Sequence, residues 1–267
     1  MTPEELQAAG LAYDVTGEVA VVTLDRPEAR NAQTPLTWRT LARIGDELPD
    51  DVRVVVLRGS GQSFSAGLDR AQLNVGLDPS GGDDGVETVA GLLALSDEEA
   101  SATIEEFQRG FTWLRDPRFV SIAVVQGHAI GAGFQLALSC DLRVLADDAQ
   151  LCMKESALGL VPDLTGTQPL VALVGYARAL EICATARYVG AEEAMAIGLA
   201  NVVVPRAELD ATVNDLIGAL TAALPGAVRE TKALLLQATD RSLDEQRRFE
   251  REAQVRRFRE LSGLRDA

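Results

Sequence analysis

The feature that most constrains this chain is a repeated order of short apolar runs followed by helix-type segments. "VAVVTL" at 19–24 is β-rich and is closed by Asp25, Arg26 and Pro27. "TPLTWRTLARIGDEL" follows as a helix, with Thr34 as its cap and Pro35 in the first helical position. "VRVVVLRG" (52–59), "SIAVVQG" (121–127) and "DLRVLA" (141–146) read as three further strands. The near-continuous apolar character of "VRVVVLRG" suits a parallel-like sheet buried on both faces. "GAGFQLALS" reads as a short helix that is almost wholly apolar, and therefore buried. Strand-then-helix order of this kind predicts β–α crossovers within one layered α/β domain.

Two regions break the rhythm. Residues 76–101 are rich in Gly and Asp, then mildly apolar, and read either as a loop or lid beside the sheet or as a disordered insertion. After about residue 206 the strand signals stop. "AELDATVNDLIGALTAAL", "GAVRETKALLLQATD" and "SLDEQRRFEREAQVRRFRE" read as three helices. The last is dense in charge with thin apolar spacing, which predicts a helix that lies exposed or packs on a partner subunit.

Composition narrows the function classes. The 267 residues carry 25 Lys and Arg against 40 Asp and Glu, a formal charge of -15. A nucleic-acid or membrane-surface binder needs a basic field, so neither is expected as a partner. An anionic ligand remains compatible, because a pocket of amide donors can hold one inside an acidic protein. "MTPEELQAAG" lacks the basic region and apolar run of a secretory signal, and no apolar run reaches the roughly 18 residues of a membrane span. Cys140, Cys152 and Cys183 lie in apolar surroundings without metal-ligand spacing, so buried, reduced cysteines, no metal site and a cytoplasmic location are expected. With His128 as the one histidine, a Ser-His-Asp triad is disfavoured. It reads first as a locally hydrogen-bonded loop residue, and only second as a base.

Two glycine-containing turns each follow a strand and lead towards a helix: "GSGQSFSAGLDR" (59–70) and "QGHAIGAGFQ" (126–135). Such turns place unpaired backbone N–H groups at the positive end of the peptide dipoles. Two in one domain can aim donors at a single oxygen, as stabilising an enolate or oxyanion requires. Neither turn matches a phosphate-binding pattern, so kinase and nicotinamide dehydrogenase readings are poor. In "MKESALGLVPDLTGTQPLVALVG" (153–175), Glu155 and Asp163 stand eight apart among apolar residues. A carboxylate in an apolar pocket has a raised pKa and can serve as base and then acid. Spacing alone still ranks surface or helix-cap roles for both acids ahead of catalysis.

The ordered motifs carry a resemblance. "TLDRPEARNAQT", "FSAGLD", "GHAIGAGFQLALSCD", "GLVPDLTGTQPL" and "YVGAEEAMAIGLANVVVP" together resemble the crotonase superfamily, the enoyl-CoA hydratase/isomerase family, from about residue 11 to about 250. The resemblance implies a crotonase-like (ββα) spiral α/β core over residues 1–205 and a C-terminal helical oligomerisation region over 206–267. It implies an acyl-CoA thioester as substrate, with coenzyme A as part of that substrate and no separate cofactor. It also implies assembly as a homotrimer or a dimer of trimers. The thioester oxygen would be held by the backbone N–H groups of Leu68 and Ala132, the latter standing where the family usually has glycine. Arg26, Ala29, Arg30, Ala66, Arg70 and Gly131 are the matching candidates for substrate and CoA contacts, although the arginines read equally as solvated charges. "QRRFEREAQVRRFRE" is a further source of basic contacts, the alternative being looser CoA binding.

The acids indicate the reaction. Gln135 and Glu155 match the positions where hydratases of the family carry two glutamates. A glutamine orients water but neither takes nor delivers its proton. "KESALGLVPDLTGTQ" resembles the dienoyl-CoA isomerases, where a glutamate and an aspartate eight residues on face the substrate. The expected activity is therefore an enoyl- or dienoyl-CoA double-bond isomerase, with Glu155 as base and donor and Asp163 assisting. The alternatives are a hydratase in which Gln135 orients water, or an acyl-CoA binder without turnover.

Overall fold

The computed structural model describes residues 1–73 and 89–263. Nine strands occur among them: β1 (Leu11–Thr16), β2 (Val19–Leu24), β3 (Val54–Gly59), β4 (Val120–Val125), β5 (His128–Ile130), β6 (Leu142–Ala146), β7 (Gln150–Cys152), β8 (Val189–Gly190) and β9 (Val202–Val204). Six form one sheet in the order β1-β2-β3-β4-β6-β9, and β5, β7 and β8 form a smaller one. β1 and β2 make an antiparallel hairpin, and the remaining neighbours of the large sheet are parallel. The four strands read from the sequence are β2, β3, β4 and β6.

Alternation along β3 explains its apolar run. Val55 and Leu57 join the larger core, while Val54 and Val56 join a second cluster on the opposite sheet face. The first helix, α1 (Pro3–Ala8), precedes the sheet. On the larger-core side lies α2 (Pro35–Asp46), whose cap is reciprocal. Thr37 N–H donates to Thr34 Oγ1 at 3.3 Å, and Thr34 N–H donates to Thr37 Oγ1 at 3.1 Å.

The 76–101 segment is resolved into two parts. Its expected loop or lid lies, for residues 76–88, outside the described residues. Beyond them, α3 (Val89–Leu93) and α4 (Asp97–Thr112) are helical, which corrects the loop reading for this part. Ser96 and Glu99 close a capping box at the start of α4. This helix packs on α2 so closely that a Cβ on Gly110 would lie 2.3 Å from the Trp38 carbonyl oxygen.

The buried α5 (Ala132–Ser139) follows β5 directly. Then come α6 (Thr167–Val174), α7 (Tyr176–Thr185) and α8 (Ala191–Ala196). The three tail helices are α9 (Leu209–Ala222), α10 (Pro225–Leu236) and α11 (Leu243–Leu261). α9 buries Leu209 and Val213 on the second sheet face, so the helical region begins within the packing of the core. α10 is tied down by Lys232, whose Nζ donates to Phe119 O and pairs with Asp141, each at 2.7 Å. Among the described residues no single helix is long and apolar enough to cross a membrane; α9 and α10 pass that test only as a pair bent by 103°.

Candidate active site

Two backbone loops meet at the open ends of the sheets. The first leaves β3, and Ser65 in it bridges Ala129 of β5. Ala66 N–H donates to Arg30 O, Asp69 N–H to Gln33 O, and Gln33 N–H to Gly67 O, each at 2.8 Å. These bonds fix the loop yet leave Leu68 N–H without an acceptor among the described residues. Ala132 N–H is likewise without one, because it opens α5 and has no preceding helical turn to bond. Gly67 explains how closely the loops approach. It adopts φ +84°, and a Cβ there would lie 2.4 Å from Ile130 O and 3.4 Å from Ala132 N. Leu68 and Ala132 line one cavity of about 990 Å³.

Gln135 lies one turn beyond Ala132 on α5 and is fully buried. Its Oε1 accepts from Leu164 N–H at 2.9 Å and from Gly166 N–H at 3.2 Å. Two backbone donors determine which end of the amide is oxygen, so Nε2 faces Glu155 and donates to its Oε1 at 2.6 Å. Glu155 opens a single 3-10 turn (Glu155–Leu158) after β7 and is 8 % exposed. Its second oxygen, Oε2, is buried and has no partner. Burial pushes this carboxyl above the usual glutamate range, and the charge of Asp163 adds to the rise, while hydrogen bonds including that from Gln135 oppose it.

Asp163 also lines the cavity. It stays accessible through the open cavity, yet the surrounding protein strips enough water from its carboxyl to raise it. Gln108 of α4 donates to its main-chain oxygen at 2.7 Å, which anchors the segment.

Of the other candidates, Ala29, Arg30, Ala66 and Gly131 line the cavity. Arg30 holds φ 51° and is exposed. Arg26 does not enter the cavity. Its guanidinium donates to Ala32 O at 3.1 Å and pairs with Asp69 at 3.0 Å, bracing the turn instead. Arg70 begins a 3-10 turn, and its side chain lies outside the described residues. His128 belongs to strand β5 and not to a loop, because the segment pairs with β7. Its Nδ1 is 3.5 Å from Ser63 Oγ, and its ring meets Tyr188 edge-on at 6.1 Å. Lys154 and Tyr188, which the sequence reading passed over, also line the cavity. The adjacency of Lys154 to Glu155 was the available signal. For Tyr188 there was none, since β8 brings it in from far along the chain.

Among the described residues no group of three or more His, Cys, Asp or Glu side chains is placed to hold a metal ion. Burial pushes the Cys140 thiol up to about 12, so it is protonated and unreactive at neutral pH. The assembled site therefore offers two unpaired amides, one free carboxylate oxygen and a second carboxyl nearby. That set can hold a carbonyl oxygen as charge develops and move a proton between neighbouring carbons.

The enoyl-CoA hydratase/isomerase family model matches residues 14–263. The short-chain-enoyl-CoA hydratase of Clostridium acetobutylicum is 32% identical over 241 residues, covering 89% of this chain and 85% of that protein. The peroxisomal Delta(3,5)-Delta(2,4)-dienoyl-CoA isomerase of Arabidopsis thaliana is 34% identical over 202 residues, covering 75% and 69%. A Thermobifida fusca YX protein, provisionally named an enoyl-CoA hydratase and solved with acetoacetyl-CoA, is 54% identical with a TM-score of 0.91, covering 97% of this chain and 98% of that one. On the strength of the family match and of this shared architecture, the chain belongs to the enoyl-CoA hydratase/isomerase family of the crotonase superfamily.

Proposed function

We propose that this acyl-CoA enzyme shifts a carbon–carbon double bond in an enoyl- or dienoyl-CoA. The thioester oxygen lies at Leu68 and Ala132 N–H, Glu155 Oε2 removes a proton beside the carbonyl, and the same carboxyl returns it further along the chain. The enolate formed between these steps is the species the amides stabilise. Asp163 serves as the second carboxyl when the proton travels further, as in a conjugated diene. The bound acetoacetyl-CoA of the Thermobifida fusca relative supports a thioester in this cavity.

One observation carries the choice of isomerisation over hydration. The oxygen of the Gln135 amide is spent on two backbone N–H groups, and one N–H of its nitrogen donates to Glu155. Its oxygen is therefore occupied where a water would need an acceptor, and an amide supplies no proton at neutral pH. Glu155 keeps a single unpartnered oxygen, enough for a one-carboxyl shuttle.

The test uses two substrates. With a 3-enoyl-CoA, conjugated thioester absorbance should grow, and Glu155→Gln should slow the growth by about 10²–10⁴-fold. With crotonyl-CoA in heavy-oxygen water, no label should enter a 3-hydroxyacyl product. Label incorporation at the rate of isomerisation or faster would assign the chain to hydration instead. Saturable binding without turnover of either substrate would leave it a binder.

A further inference from the structure

The cavity has two chemically different ends. One carries Arg30, His128, Lys154 and Tyr188. The other lies between α2 and α4, where the rings of Trp38 and Phe107 meet with centroids 5.2 Å apart at 57°. Pro35, Leu92, Ile104 and Leu164 complete that wall. The one polar atom of Trp38 is already used, since Nε1–H donates to Gln33 Oε1 at 2.8 Å. Gln33 in turn bridges Leu68, so the aromatic wall forms the next layer beyond the amide pair.

We propose that the acyl group is an apolar chain or ring of about eight carbons or more, seated on the Trp38–Phe107 wall, with Ile104 setting how far it reaches. The inference rests on the reading that the thioester carbonyl is held by Leu68 and Ala132. A four-carbon acyl group anchored there leaves unfilled the apolar part of the cavity, where the half-buried Leu92 and Ile104 stand in front of the buried Trp38 and Phe107 rings. The cavity, at about 990 Å³, lies at the upper end of the roughly 300–1,000 Å³ usual for small-molecule sites. Polar groups are sparse among these apolar side chains. Gln135 has its oxygen held by backbone donors and one N–H held by Glu155, Asp163 has its place in proton transfer, and Gln72 adds one amide whose Oε1 lacks a partner. Apolar surface of this extent favours an apolar ligand, and each methylene it buries is worth about fourfold in affinity.

Saturated thioesters test this without any chemistry. Butyryl-, octanoyl- and decanoyl-CoA are titrated calorimetrically into the full chain. Affinity should rise at least tenfold from butyryl to octanoyl. Ile104 is half-buried on α4, so Ile104→Trp should fold and fill the far end. It should weaken octanoyl-CoA at least tenfold and leave butyryl-CoA within twofold, with Ile104→Phe intermediate. Equal affinity for butyryl- and octanoyl-CoA, or equal loss of both in the Ile104 variants, overturns the proposal. Length-dependent binding with no double-bond shift on any enoyl-CoA sinks the isomerase reading and leaves this one standing. A double-bond shift accompanied by length-independent binding does the reverse.

Discussion

At the residue scale, the behaviour of the site reduces to one carboxyl and what surrounds it. Glu155 must be ionised to accept a proton, so kcat/KM should rise with pH through its free-enzyme pKa. Burial and the charge of Asp163 both raise that pKa, which places the rise above the ordinary glutamate value of roughly 4.3. Asp163→Asn removes one of the two upward causes, and the midpoint should move to lower pH. A midpoint that stays put, or climbs, would show that Asp163 does not act on Glu155 through its charge. The same shift bears on stability. A carboxyl whose folded pKa is raised binds its proton more tightly when folded, so its contribution is full below the unfolded pKa and is lost as pH rises through the folded one. Glu155→Gln should therefore lose less stability than the wild type across that window, as urea melts at a series of pH values would record.

At the element scale, the site depends on two loops that touch through backbone alone. Gly67→Ala would place a methyl 2.4 Å from Ile130 O at φ +84°, so the loops must part. Strain and separation together should cost on the order of 2–4 kcal/mol of stability, read from the urea midpoint. Turnover should fall more than substrate binding, because the amide pair acts on the developing charge. A variant with wild-type turnover would mean that the loops do not need this contact. Four of the five longer sheet strands were legible because the four or five Val, Leu, Ile and Ala residues in each outweigh everything around them. β5, β7 and β8 span only two or three residues, too few for any period to show, and they are the strands that carry His128 and lead into Glu155 and α8. β1 was missed for a different reason. Its alternating "LAYDVT" is an edge pattern, with Asp14 and Thr16 facing water. α4 was hidden by its acidic first turn, although Ser96 and Glu99 spelled its cap. Glu155, Asp163 and Gln135 were visible as residues, yet the locked orientation of Gln135 depends on Leu164 and Gly166 N–H groups that no spacing rule places.

At the scale of the whole molecule, the tail helices divide into an inner and an outer part. α9 and Lys232 of α10 are bound to the sheet, whereas Leu235, Leu243, Val255, Phe258 and Leu261 are exposed along α10 and α11. Water-facing apolar groups repeated on one pair of helices mark a surface for another protein. We propose a second copy of this chain as the occupant, as the family resemblance implies. α11 carries six arginines against five acids, and Arg247, Arg248, Arg256 and Arg257 pair with carboxylates of the same chain, so its apolar side chains rather than its charge would carry such a contact. A self-assembly built in this way has two signatures. Sedimentation should give a mass of three or six times 28.5 kDa, in keeping with the trimers that the family resemblance implies. Added salt should leave the assembly in place, because apolar contacts are not screened. Phe258→Asp puts a carboxylate where α11 needs an apolar contact, and it should shift the protein to monomers without lowering the thermal midpoint of the monomer itself, because Phe258 is 61% exposed in the single chain. If the variant keeps its assembled mass, the contact lies elsewhere. If the wild type sediments as a single chain at micromolar concentration, the exposed face of α10 and α11 is not an interface between copies.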